Sequence, residues 1–199
     1  MAKEKRRFRH PTAEEQVVLR EMEVRLLTQP RDYARFDQLL VEHHYLHNAH
    51  YRVAISQRID EGLLVGPMLK GELAAILLNA LSNAIKGVIA GGAAKGLIEL
   101  HAYPSRNKVC LDVKDNGLGV RPEDRKTVFS PLVSDPSLQL YDALEERLAS
   151  EDRQLLGQGS GLGLSIVRGI LENRKGSVEF IEPTQGWSTC LHLELPSPP

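Results

Sequence analysis

The chain has 199 residues, 42% of them apolar, and a formal net charge of −1. This composition excludes a disordered chain, and the charge gives no global argument for a nucleic acid or other polyanionic partner. No apolar run is expected to reach the roughly 18 residues of a membrane span, and the basic start Lys3–Arg9 lacks the apolar stretch of a secretory signal. A cytoplasmic protein is the expectation, with Lys3–Arg9 a solvated tail or a phosphate-contacting arm.

Taken in order, Thr12-Ala13-Glu14-Glu15 has the pattern of a capping box. It opens an expected helix from Ala13 to Leu27, which stops before Pro30. A second helix is expected over Tyr33 to Leu46, and a strand within Tyr51 to Val65. A long helix follows from Lys70 to Ala90, ended by Gly91-Gly92. Strands are expected over Leu97–Tyr103 and Val109–Val113, joined by a turn at Pro104–Asn107. A glycine-rich stretch, Gly157 to Gly163, leads into a helix ending near Asn173, with Gly176 as its stop. Strands at Ser177–Ile181 and Ser188–Leu195 close the chain. This order predicts an α/β sandwich, a mixed sheet covered on one face by helices. Cys110 and Cys190 stand in apolar, strand-like contexts and read as buried free thiols.

Three segments carry chemistry. Along the long helix, at about 100° per residue, Leu73, Ile76, Leu77, Ala80, Leu81, Ala84, Ile85 and Val88 share one broad face. Asn79, Asn83 and Lys86 align on another side, with Glu72 on the same stripe. Asparagine is a mediocre helix former, so two of them aligned with a lysine suggest a ligand-facing strip as an alternative to a solvated polar face. An amide oxygen suits Mg²⁺, and a lysine can meet a phosphate as a point charge. Next, Asp115-Asn116-Gly117-Leu118-Gly119 ends a strand. A carboxylate placed there can accept from an exocyclic amine, while the glycines let backbone approach a flat ring. The same pattern also fits a plain turn or part of a calcium loop. Third, the glycines before Leu164 leave free N–H groups at a helix start, which is an anion site. They match neither a Walker loop nor a dinucleotide fingerprint.

The ordered set resembles the histidine kinase-type ATPase family of the gyrase, chaperone, histidine kinase and MutL superfamily, most of all the catalytic domains of sensor histidine kinases. Asn79 to Lys86 is similar to the family's N-box, Asp115–Gly119 to its first glycine box and Val128-Phe129-Ser130-Pro131-Leu132 to its F-box. Gly159-Ser160-Gly161-Leu162-Gly163-Leu164-Ser165-Ile166-Val167 is similar to its second glycine box. The resemblance covers roughly Val53 to Leu195. It implies ATP and Mg²⁺ as cofactors, with Asn83 on the metal, Lys86 on a phosphate and Asp115 on the adenine amine. Gly117, Gly119 and Phe129 would border the nucleotide, and Gly159, Gly161, Leu162 and Gly163 would wrap the triphosphate. Val120 to Gln158 would be a mobile lid over ATP. Hydrolytic members carry a glutamate where Asn79 stands here; an amide is no general base, which favours a kinase, with Asn79 and Lys86 its catalytic residues.

The expected division is a helical appendage over residues 1–50, a candidate homodimer contact, and an ATP-binding domain over residues 51–199. His43, His44, His47 and His50 lack the context of a phosphoacceptor. The acceptor is therefore expected in another protein, with a response regulator as a further partner. The alternative is an ATP-gated binding module or an anti-sigma-type serine kinase with little hydrolysis.

Overall fold

The computed structural model describes residues 53–133, 135–148 and 161–198. The two expected N-terminal helices, the four clustered histidines and the stretch Gly157–Ser160, with Gly159, lie outside the described residues. In chain order come strand β1 (Val53–Ile59), helix α1 (Lys70–Gly91), β2 (Gly96–Ser105), β3 (Lys108–Asp115) and a 3-10 turn (Thr127–Phe129). Helices α2 (Gln139–Arg147) and α3 (Gly163–Asn173) and strands β4 (Ser177–Phe180) and β5 (Thr189–Pro196) follow.

The five strands form one mixed sheet in the order β1-β2-β3-β5-β4. β1 runs parallel to β2, because α1 is the crossover between them. All other neighbours are antiparallel. The turn expected at Pro104–Asn107 is tighter: the strand runs through Ser105, and Arg106 takes the left-handed conformation at φ 50°.

Side chains alternate across a sheet. Ile98 of β2, Val109, Leu111 and Val113 of β3, and Leu191, Leu193 and Leu195 of β5 meet Ile76, Ala80, Ala84 and Val88 of α1 and Val167 and Leu171 of α3 in one core. Positions between them on the same strands, such as Glu99, Asp112, Lys114 and His192, carry polar side chains, with Asp112 accepting from His192 at 2.6 Å. Cys110 and Cys190 are free and buried, as expected.

By length and hydropathy, α1 alone among the described helices could cross a bilayer. That corrects the expectation that no such stretch exists. Here its apolar residues pack on the sheet, as those of a core helix do. It ends at Gly92, which is left-handed at φ 63° and whose N–H reaches the Ile89 carbonyl at 3.2 Å. At its start, the Glu72 carboxylate accepts the Leu69 N–H at 2.8 Å and also pairs with Arg174, just past α3, at 2.8 Å. Glu72 therefore ties two helices together and is no part of a ligand strip. The end of α3 departs from expectation in detail. Lys175 takes the left-handed turn at φ 59°. Gly176 donates to the Leu171 carbonyl at 2.7 Å, and a side chain there would collide with the Glu194 carbonyl oxygen.

Candidate functional site

Asp115 is the last residue of β3 and only 4% exposed. Its Oδ1 accepts the Gly117 N–H at 2.9 Å, and the Thr189 side chain stands beside the same carboxylate. Burial pushes its pKa up to about 6, although Gly117 and Thr189 both act to lower it. At neutral pH the group is therefore an anion with little water around it, a strong acceptor for a ligand's N–H.

The loop after Asp115 is seated on α1 by backbone contact. Leu118 N–H donates to the Gly87 carbonyl at 2.8 Å. A Cβ on Gly117 would collide with that same carbonyl, and one on Gly91 would lie 2.6 Å from the Gly117 carbonyl carbon. Gly87 and Gly91 stand one turn apart, so the last turns of α1 offer a bare groove that only a glycine loop can enter. Asn116 fastens the loop from the other side, accepting the Leu97 N–H at 2.7 Å and donating to the Lys95 carbonyl at 3.0 Å. Gly119, at φ 86°, then turns the chain along the rim.

These elements enclose a cavity of about 300 Å³. Asn83 and Gly87 form one wall, Asp115 and Thr189 the floor, and Gly119, Asp135, Pro136, Ser137, Gln139 and Leu140 the remaining sides. The size is that of a small-molecule site. Of the stripe on α1, only Asn83 reaches the cavity. The Asn79 amide donates to the Ala75 carbonyl at 2.8 Å, and its oxygen lies 2.7 Å from where a Cβ on Gly163 would stand. Asn79 thus abuts the start of α3, beside the cavity. Lys86 is half-buried and also off the cavity wall; burial lowers its pKa.

Phe129 differs from its expected role. It lies in the core, with its ring 5.5 Å from that of Phe180 and the Arg168 guanidinium 5.9 Å from its centroid. Its neighbour Val128 lines the cavity instead, so Phe129 supports the wall from behind.

Gly161 is left-handed at φ 66°, accepts the Leu132 N–H at 3.0 Å, and would place a Cβ 2.6 Å from the Leu132 carbonyl carbon. Leu162 precedes the first turn of α3, and its carbonyl accepts the Ile166 N–H at 2.8 Å. The first N–H groups of a helix lack intrahelical acceptors, so the start of α3 is suited to an anion. Leu164 is on the cavity wall, while the predicted residues Gly161, Leu162 and Gly163 are off it.

The segment expected to be a mobile lid, Val120 to Gln158, contains a docked helix. In α2, Leu144 is 3% exposed and packs with Ile89 and Ala90 of α1, joined by Leu148 at 4%. Two leucines one helical turn apart are enough to dock the helix.

The sequence profile of the histidine kinase-, DNA gyrase B- and HSP90-like ATPase family matches residues 69–199. The chain belongs to this family. It is similar to the sensor histidine kinase GlrK of Escherichia coli K12, at 28% identity over 122 residues, which cover 61% of this chain and 22% of that protein. It is also similar to the adaptive-response sensory kinase SasA of a Synechococcus strain, at 32% identity over 121 residues, covering 61% and 27%. The chain thus spans about a quarter of the length of these relatives. Among solved structures, the ATP-binding domain of PrrB from Mycobacterium tuberculosis is 26% identical with a TM-score of 0.51, over 84% of this chain and 91% of that one. The catalytic domain of the histidine kinase ThkA shares the fold, with a TM-score of 0.56 at 20% identity, over 85% and 91% of the two chains.

This family member's cavity includes groups that sequence reasoning missed. Thr189 is one, set directly opposite Asp115 in the β3–β5 register. Its signal was a hydroxyl at the head of the apolar alternation Leu191, Leu193, Leu195, but that signal acquires meaning only once the two strands are paired. Arg121, paired with Asp124 at 2.7 Å, and Asp135 are others; both contribute to the rim.

Proposed function

We propose that this chain is the nucleotide-handling part of a protein histidine kinase. It binds Mg-ATP and passes the γ-phosphoryl to a histidine of a separate acceptor protein, from which a response regulator would be served. The observation that carries the reading is the buried Asp115 carboxylate in a cavity bordered by Gly87, Leu118 and Gly119. An adenine ring offers a flat face to such backbone and an exocyclic amine to such an acceptor.

The residues present fit the metal as well as the base. Asn83 supplies one neutral oxygen on the cavity wall, and Mg²⁺ is commonly held by few protein ligands together with phosphate oxygens and water. Among the described residues no cluster of three His, Cys, Asp or Glu side chains could hold an ion alone, so the ion would bind jointly with the triphosphate. Lys86, Gly161, Leu162 and Gly163 are the groups assigned to the phosphates, together with Gly159. Phosphoryl transfer proceeds largely through positioning and charge neutralisation. Asn79 suits that chemistry: its amide is committed to Ala75 and has no basicity with which to activate water.

The test is transfer of label from γ-labelled ATP to a supplied histidine acceptor domain. Acid-labile label on the acceptor, lost in Asn83→Ala along with the magnesium dependence of binding, is the expected result. Nucleotide binding without transfer to any acceptor would instead favour an ATP-gated binding module, and absence of nucleotide binding would overturn both.

A further inference from the structure

We propose that α2 is a docked prop for the base end of the cavity, and that Leu144, which does not line the cavity, is its positioning residue. The proposal rests on the nucleotide reading above and deepens it. Two separate sets of contacts hold α2. At its start, Leu138 is left-handed at φ 59° and offers no side-chain cap. Asp135 supplies one instead, accepting the Tyr141 N–H at 3.0 Å and the Ser137 hydroxyl at 3.2 Å. Such a carboxylate satisfies a helix-start N–H and complements the helix dipole. The Arg121 guanidinium, held by Asp124, lies within the field of the same Asp135 charge.

At the other end, Leu144 and Leu148 are buried against Ile89 and Ala90 in the last turn of α1. A side chain on Gly92 would run into the Arg147 guanidinium, which therefore lies over the C-terminal end of α1. Exposed carbonyls at a helix C-terminus favour a cation there.

Between these anchors, Asp135, Pro136, Ser137, Gln139 and Leu140 form the cavity wall that shares the space with Asp115 and Asn83. The width of the base site is thus set where α2 meets the end of α1, through a leucine that is off the cavity wall. Gly161 and Gly163 are not on this wall. The prop accordingly acts on the part common to ATP and ADP, and not on the terminal phosphate.

Calorimetric titration of the full chain with ATP and with ADP, both with magnesium, tests this in wild type, Leu144→Ala, Leu144→Met and Arg147→Ala, with thermal transitions recorded alongside. Leu144→Ala should weaken both nucleotides by the same factor, about ten-fold, while Leu144→Met, nearly equal in volume, restores binding to within about two-fold. Arg147→Ala should produce a smaller loss, again equal for the two nucleotides. A folded Leu144→Ala with wild-type affinity for both, or with a loss confined to ATP, overturns the prop and leaves the nucleotide reading standing. Where Leu144→Ala does not fold, unchanged affinities in Arg147→Ala, whose side chain is exposed, overturn it. A wild-type chain that binds neither nucleotide overturns the nucleotide reading itself.

Discussion

At the Asp115 end of the cavity the structure is held by side chains and by close backbone packing. Asp115 and Asn116 make defined hydrogen bonds, and the glycine loop is seated in a groove of α1. At the α3 end the arrangement is different. Gly161 and Gly163 bring bare backbone next to Leu132 and Asn79, and the groups presented there are N–H groups at a helix start. The first kind of site reads the shape and hydrogen-bonding of a particular ring. The second reads negative charge and depends on chain conformation. In the proposed function these are the base end and the phosphate end, and substitutions should separate them.

The largest effect is expected at the seat of the first loop. Gly117→Val would drive a β-branched side chain into the Gly87 carbonyl, and neither backbone can yield without moving α1. A loss of about 3 kcal/mol in chemical denaturation is expected, at the upper end for overpacking. A variant of wild-type stability would show that the loop is not seated as described.

Gly161→Val should act at the other end. Its φ of 66° is one that a valine resists, and Leu132 blocks the added atoms. Affinity for ATP should fall about ten-fold, equivalent to about 1.4 kcal/mol, with adenosine much less affected. An equal loss for adenosine would mean that the two ends are not separable.

A smaller and more graded effect is expected from pH. Asp115 titrates at about 6, raised by burial from 3.8. In the proposed function the carboxylate accepts the ligand's amine, and it is lost as pH falls through about 6, so nucleotide affinity should decline there. Stability of the nucleotide-free chain should move the opposite way. The folded form holds this proton more tightly than the unfolded one, so the Asp115 contribution to stability rises as pH falls from about 6 towards 3.8. Thermal transitions of Asp115→Asn should lack that component. Parallel decline of affinity and of this stability component would contradict the assignment.

Local sequence signals carried the architecture well. The apolar face of Lys70–Ala90, the alternation in Val109–Val113 and the stops at Gly91-Gly92 were each sufficient to define an element, because each obeys a period set by its own backbone. The Asp115 loop was legible for the same reason, as a carboxylate at a strand end followed by two glycines. Contacts that depend on tertiary pairing were not legible. Thr189 faces Asp115 only through the β3–β5 register, and Glu72 leaves the asparagine stripe for Arg174, which is 102 residues away in sequence. Phe129 reads as a ligand contact by resemblance, yet Phe180 and Arg168 draw it into the core. The docking of α2 was hidden because its two leucines are diluted by charges that remain on the solvent side.

The central claim is that Asp115 reads the base of a bound nucleotide. It is tested most directly by calorimetric titration of wild type and Asp115→Asn with a magnesium-bound, non-hydrolysable ATP analogue. The amide keeps the shape of the carboxylate but is a weaker acceptor, and it brings an N–H group towards the ligand's amine. Saturable binding is expected in wild type, with a loss of about 1–3 kcal/mol in the variant, the scale of a hydrogen bond to a buried charged group. Wild-type affinity in Asp115→Asn would contradict the claim.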